Sequence, residues 1–256
     1  MYISTFKSLL HSDCKIFAQT FKDSCFDLLI WISSMALVTY YVMPSFGLSH
    51  EYTLFLIASS AASAGLFLAW GATVTMVADF SGEQIVTYYL TLPLPSWLVF
   101  MRTIIINACN AFIMSMLVLP VCTLLLWNKI HFASLHLGKY MLIMVLMSML
   151  HGAFPLILAS LIKSLNKIGS LWMRFIYPLW FFGCFQFSWY SLYHVSRPLA
   201  YLDLLNPFTY VMEGMRAAVL DTPTLPFSLC AVMITLFGLL TAWIGIVRLK
   251  KQLDCL

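Results

Sequence analysis

Glu213 and Arg216 stand three residues apart in a helical segment, the spacing at which opposite charges meet on one helix face. Few other side chains offer chemistry. His151 lies inside an apolar run, where an ionisable group is usually functional. It could relay protons, although a hydrogen-bonded packing histidine beside Pro155 is the simpler reading. Asn107 and Asn110 share a helix face and suit hydrogen bonds between helices, as does Gln186. His50 and Glu51 are adjacent, so their side chains diverge on a helix and make a poor metal site. Seven cysteines lack metal-type spacing and read as small apolar residues. No catalytic residue and no metal ligand is expected.

Missing patterns exclude several chemistries. There is no GxxxxGK[ST] phosphate loop. Gly138-Lys139 is followed by Tyr140 and lacks the upstream glycine, so the chain does not bind ATP by that route. No HExxH and no GxSxG is present. No Asp or Glu falls in mid-span, and Asp27 stands at a span entrance, which argues against ion coupling.

The elements that position these residues follow from composition. Of 256 residues, 62% are hydrophobic and 9% are charged. Soluble domains average about 25% charged residues. A soluble fold of this size could not hide so much apolar surface, so lipid is the main solvent. A span needs roughly 20 apolar residues to cross ~30 Å of hydrocarbon. The runs here are long and continuously apolar, which selects helices over the alternating strands of a barrel. Six spans are expected, at about Phe26–Met43, Tyr52–Val77, Phe100–Trp127, Lys139–Ile162, Leu171–Tyr190 and Pro226–Val247. They form a single domain over 26–256.

Residues 1–25 are too polar to span. Ile3, Phe6, Leu10, Cys14, Phe17 and Phe21 recur at spacings of three and four, which predicts an amphipathic helix in the membrane interface. It has no cleavage site of the signal-peptide kind. In span 2, Ala58–Gly65 is a row of small residues, so Ala58, Ala61, Ala62 and Gly65 are candidates for close helix packing. Ten of the 14 Lys and Arg residues fall on one side, among them Lys7, Lys15, Lys22, Arg102, Lys167 and Arg174. That side should be cytoplasmic, with both termini. The charge is topological and is no nucleic-acid signal.

Two polar stretches interrupt the apolar pattern. The first joins spans 2 and 3, from Asp79 to Pro95. Ser81 can cap a helix there, with Asp79 and Glu83 near its positive end. Ile85, Tyr88, Tyr89 and Leu92 line one face, and Glu83, Gln84, Thr87 and Thr91 the other, before Pro93 and Pro95 stop the helix. A short amphipathic helix on the inner side suits docking to a soluble partner. The second stretch lies before span 6, from Asp203 to Asp221. Asn206 can cap a helix with Pro207 at its first position. Phe208, Val211, Met212, Met215 and Val219 make an apolar face. This helix is too short to cross, and should dip into the outer leaflet or lie on it.

Both stretches resemble the permease subunits of the type 2 ABC exporter family. Glu83 through Leu90-Thr-Leu-Pro93-Leu-Pro95-Ser96 is similar to that family's cytoplasmic helix and its Leu-Pro ending. Asn206-Pro207-Phe-Thr-Tyr210-Val-Met-Glu213-Gly-Met-Arg216 is similar to its signature before the last span. Pro95 departs from the family pattern, which puts the end of the first helix in doubt. The resemblance implies an all-α membrane protein: six transmembrane helices, an amino-terminal connecting helix, a cytoplasmic coupling helix and an outer re-entrant helix.

It also implies a half-transporter without its own ATPase activity. A second permease copy, with a homodimer expected, and two copies of an ABC ATPase subunit would complete it. ATP and Mg would bind in the ATPase, with no cofactor in this chain. Glu83, Gln84, Thr87, Tyr88, Leu90 and Pro93 would couple to the ATPase. Asn206, Pro207, Tyr210, Glu213 and Arg216 would form the re-entrant element. The setting would be a bacterial inner membrane. The substrate would be amphipathic, lipid-linked or drug-like, because the spans are apolar and aromatic. An intramembrane lipid-modifying enzyme and an ion-coupled carrier are the alternatives.

Overall fold

The computed structural model describes residues 2–82, 84–127, 129, 135–162, 165–220 and 222–253. Glu83, Lys163, Asp221 and most of the expected loop Asn128–Gly138 lie outside the described residues. The described chain is all-α. Helix α1 (Tyr2–Leu37) runs through a π turn (Val38–Val42) into a 3-10 turn (Met43–Phe46), which Gly47 ends at φ 84°. Next come α2 (His50–Ser81), α3 (Ile85–Thr91), α4 (Ser96–Leu125) and α5 (Leu137–Ser160). A broken run holds α6 (Ile168–Leu171) and α7 (Tyr177–Trp180), joined and followed by π turns. Helices α8 (Trp189–Val195), α9 (Arg197–Asp203), α10 (Pro207–Val219) and α11 (Phe227–Leu253) complete it.

Among the described residues, five helical segments are long and apolar enough to cross a membrane: Phe6–Phe46, His50–Phe80, Ser96–Leu125, Leu137–Ser160 and Phe227–Gln252. The chain is a multi-pass helical membrane protein. The expected fifth span, Leu171–Tyr190, is not among these helices. Its run breaks at Gly183 (ψ 29°) and Cys184 (φ 63°), and a new helix starts after Ser188. The left-handed conformation is costly for a residue with a Cβ, so something must hold Cys184 there.

Helix α1 starts at Tyr2 and passes the boundary expected at residue 25 without a break. Asp13 meets Arg102, and the Cys25 thiol lies 3.9 Å from the Met114 sulfur. Both pairs are 89 residues apart, so α1 and α4 run parallel and in step over about 18 Å.

Helix α5 is the axis of the bundle. Its residues Ile143, Met144, Met147, Leu150 and Leu156 have no exposed surface. Neighbouring helices reach it through glycines. A Cβ on Gly152 would lie 2.5 Å from the Ile104 carbonyl oxygen and 2.7 Å from the Ala108 nitrogen, so α4 backbone fills that space. A Cβ on Gly65 of α2 would overlap His151, with Ala111 of α4 also in contact. Gly65, Ala111 and His151 thus mark one level, near the middle of α2 and α4. Ala58, Ala61 and Ala62 are fully buried on α2 above it.

Backbone cannot yield to a new side chain as a flexible neighbour can. Gly152→Val should therefore destabilise the protein by about 1–3 kcal/mol, the range for overpacking. Gly71→Ala, with nothing within 4 Å of the new carbon, should be neutral or slightly stabilising. Thermal unfolding of both variants in detergent would check this, and equal melting temperatures would refute it.

Candidate functional site

Helix α10 begins in the middle of the bundle and climbs to one end. The Phe208 ring stacks on His151 at 5.9 Å and meets Phe154 edge-on at 5.3 Å. At the other end, the Ala218 carbonyl accepts from the His136 amide at 2.9 Å, beside the start of α5. Thirteen residues cover about 20 Å, which is half a bundle height. Asn206 fixes the start. Its Oδ1 accepts from the Phe208 amide at 3.0 Å, and its Nδ2 donates to the Leu179 carbonyl at 2.7 Å. Pro207 occupies the first turn, where a missing N–H costs nothing. Eleven of the 13 residues are buried, so protein encloses α10 on nearly every side. Its surroundings are other helices, where the sequence predicted a leaflet or its surface.

Glu213 and Arg216 are both fully buried and pair at 2.9 Å. The guanidinium does more than neutralise the carboxylate. It donates to Ser59 Oγ from Nη2 at 2.6 Å and from Nε at 3.2 Å. It also donates to the carbonyls of Cys184, Phe185 (3.0 Å) and Phe187 (3.2 Å), and lies over the Phe55 ring at 3.6 Å. Those carbonyls belong to the break in the run after α7, where helical partners are lost. Arg216 therefore acts as the cap of the broken helix. On the other side, Glu213 accepts from the Trp189 amide at 3.0 Å and the Leu225 amide at 3.2 Å.

Further polar contacts close the same region. Asp203 accepts from the Cys184 thiol at 3.1 Å and from the Thr209 hydroxyl at 3.0 Å. The Tyr210 hydroxyl donates to the Leu204 carbonyl at 2.8 Å. Trp180 donates to Ser63 Oγ at 3.0 Å, so α2 grips α7 too.

The second polar stretch stands at the opposite end of the bundle, where α2 finishes. Helix α3 is held by Asp79, whose carboxylate accepts from the amides of Ile85 (2.8 Å) and Val86 (3.0 Å). Asp79, and not Ser81, supplies the cap, since α2 continues through Ser81. Gln84 is exposed and left-handed at φ 53°. The faces of α3 are turned from the expected ones. Val86 and Leu90 pack on the core, while Ile85, Thr87, Tyr88 and Thr91 face outward. The cause lies on α4: Arg102 sits 4.1 Å from the Tyr89 ring centre and draws that side inward. Arg102 also meets Asp13 of α1 at 2.8 Å, in a close ion pair that lacks hydrogen-bond alignment. Pro93 is exposed beyond the helix. Glu83, the acidic member of this element, lies outside the described residues.

Other candidates stay apart. His151 is buried, but neither ring nitrogen has a hydrogen-bond partner among the described residues, so it is a packing histidine without the expected bond. Asn110 Oδ1 likewise has none, and the Gln186 side chain is exposed. The His50 ring lies tilted against Tyr40, with ring centres 4.6 Å apart. Sequence reasoning placed Asp79 near the start of α3 but gave the cap to Ser81, and it missed Ser59, Cys184, Asp203 and the Asp13–Arg102 pair. Gly183 was the available sign of the break, whereas nothing local joins Asp13 to a residue 89 positions away. No model of a known protein family matches the chain, and no curated protein matches it.

The Arg216 contacts set a sharp expectation. Arg216→Leu should cost about 3–5 kcal/mol, because Glu213 would be left charged and buried. Arg216→Lys should recover little, since three donors on a point charge cannot reach Ser59, Glu213 and three carbonyls together. Denaturant unfolding in micelles would measure both, and a lysine variant as stable as the parent would remove the capping role.

Proposed function

We propose that this chain is the membrane half of an ATP-driven exporter, a permease subunit of the type 2 ABC kind that works with a separate ATPase. The observation that carries this reading is α3. It is a short helix anchored at three points, through Asp79, Tyr89 and its core contacts, that still exposes Ile85 by 40% and Tyr88 by 62%. A rigid element with an outward apolar pair at the end of a bundle suits a groove on a soluble partner. Gln84, Thr87 and Pro93 border that pair.

Two further features support the reading. The run 165–185 follows α2 closely, with Trp172 on Phe67 and Trp70, and Trp180 on Phe67 and Ser63. It serves as a sixth, broken crossing, which returns the carboxyl terminus to the cytoplasmic face with the amino terminus. The exposed side of α1 carries Lys15, Lys22 and Asp23. By the shared register with α4, Lys22 is level with Ala111 in mid-bundle. Charges at that depth are costly against lipid. A second copy covers this side, so that two chains enclose a hydrated path for an amphipathic, lipid-linked or drug-like molecule.

The test is purification of the tagged full-length chain from its native membrane, with assay of co-purified protein for ATP hydrolysis. The parent should bring down an ATPase with a phosphate loop. Ile85→Asp and Tyr88→Ala should lose most of it while the chain itself stays folded. Asp79→Ala should do the same, at about 0.5–2 kcal/mol of stability for the lost cap. An ATPase retained by all three variants, or absent from the parent, would end this assignment.

A further inference from the structure

Helices α5 and α11 run parallel and in step. A Cβ on Gly238 would lie 3.8 Å from the Leu150 Cα, and one on Gly245 would overlap the Leu156 Cβ at 2.7 Å. The partners in each pair are 88 or 89 residues apart, so the register holds along the contact. Helix α5 ends at Ser160, level with Arg248, while α11 continues to Leu253. The last turn of α11 therefore projects about 7 Å beyond the end of α5. Lys250 and Lys251 stand exposed on that turn, with Arg248 exposed at its base. Lys167 is exposed beside Ile168, which is buried in the same apolar cluster as Leu249 and Ile162. Four cations thus gather at one end of the α5–α11 pair.

None of the four has a counter-ion among the described residues, whose two ion pairs are Asp13–Arg102 and Glu213–Arg216. The sequence has no Asp or Glu over 84–202 or over 222–253, so α5, the broken run and α11 can supply none. Asp254 lies outside the described residues. The dipole of α11 favours cations in its last turn, but Lys167 belongs to another element. At the opposite end of the same two helices the one described Lys or Arg is Lys139, and its ammonium lies 5.9 Å from the Phe227 ring.

The outer face of α11 leads up to the cations as an apolar stripe. Leu229, Val232, Leu236, Leu239, Trp243 and Val247 recur at spacings of three and four and are 42–66% exposed. From Leu229 to Val247 the stripe is about 27 Å long, close to the ~30 Å of a hydrocarbon core. Lys250 and Lys251 continue it, three and four residues after Val247. Leucine and valine, then tryptophan, then unpaired cations is the order met on passing from acyl chains to headgroups.

We propose that the outer face of α11 is a binding site for an anionic phospholipid. Its phosphate meets Lys250 and Lys251, with Arg248 and Lys167 beside them, and its acyl chains lie along Val247, Trp243, Leu239 and Leu236. Each cation near a membrane surface raises the association of anionic lipid about fivefold. A zwitterionic lipid brings its own cation, which offsets that gain. A free phosphate ion has no chains to cover the stripe. The inference needs the membrane-spanning bundle and its charges, and holds whatever the chain carries.

The experiment uses the full chain in phosphatidylcholine vesicles that contain rising fractions of brominated phosphatidylglycerol or brominated phosphatidylcholine. Bromine quenches tryptophan on contact, and the Trp243 signal is the difference between the parent and Trp243→Phe. Half-quenching of that signal should need about fivefold less of the anionic lipid than of the zwitterionic one. Raising the salt to about 1 M, where screening acts within ~3 Å, should abolish the preference. In the background of Arg248→Gln, Lys250→Gln and Lys251→Gln together, the preference should fall below about twofold. Lys139→Gln should keep it at the parent's value. Equal quenching by the two lipids in the parent would leave the cations to water or to a soluble partner. No quenching by either would place protein against α11. Both outcomes overturn the proposal, as does a preference that survives high salt or falls equally in both variants. The salt series needs no substitution at the cations, so a triple variant that fails to fold leaves the proposal open to refutation. Inorganic phosphate that displaces the anionic lipid at low salt would assign the cations to a free anion, and that too is fatal.

Discussion

The fold depends on one buried arginine. A helix that breaks within a membrane protein leaves carbonyls that hydrocarbon cannot satisfy, each at a cost of several kcal/mol. The run after α7 breaks in this way, and Arg216 takes up the carbonyls of Cys184, Phe185 and Phe187. The same guanidinium binds Ser59, which fixes α2, and Glu213, which fixes the amides of Trp189 and Leu225. A buried ion pair is often a weak source of net stability, because desolvation offsets attraction. Here its value is positional. With every guanidinium nitrogen engaged, four segments that share no regular hydrogen bonding are locked in one arrangement. The left-handed Cys184 and the half-height helix α10 both follow from it.

Helix α2 connects that centre to the opposite end. Ser59 lies in its first third and Asp79 in its last turn, twenty residues and about 30 Å apart. One residue receives the arginine and the other caps α3. Between them, Gly65 admits His151, and Ala58, Ala61 and Ala62 allow close approach to neighbouring helices. Small side chains on α2 thus serve two ends at once. They let the helices pack by shape where lipid gives apolar surface no reason to associate. They also make α2 a stiff link between the polar contacts at each end.

Much of this was legible in the sequence because it is local. Asn206 and Pro207 announce the start of α10, and Glu213 and Arg216 announce a pair. The small residues of α2 announce close packing. The lengths of four spans follow from hydropathy alone. What was illegible is long-range. The Asp13–Arg102 contact and the Ser59–Arg216 contact join residues with no sequence relation. The faces of α3 were misjudged because an arginine on another helix, rather than its own apolar pattern, sets the rotation. Span 5 looked continuous because Leu171–Tyr190 is apolar apart from Arg174, Gln186 and Ser188. Hydropathy reports solvent and is blind to a change of backbone direction at Gly183.

Two exposed surfaces of the described residues differ in chemistry. The bare side of α9 is leucine and tyrosine. The bare side of α1 carries Lys15, Lys22 and Asp23 along a helix held in step with α4. Lysines near a helix end can extend toward water, but Lys22, level with Ala111 by that register, stands opposite the middle of α4. Lys22 and Asp23 therefore require water or opposite charge beside them. Their charge sets the α1 side apart from the apolar outer surfaces of α4 and α11.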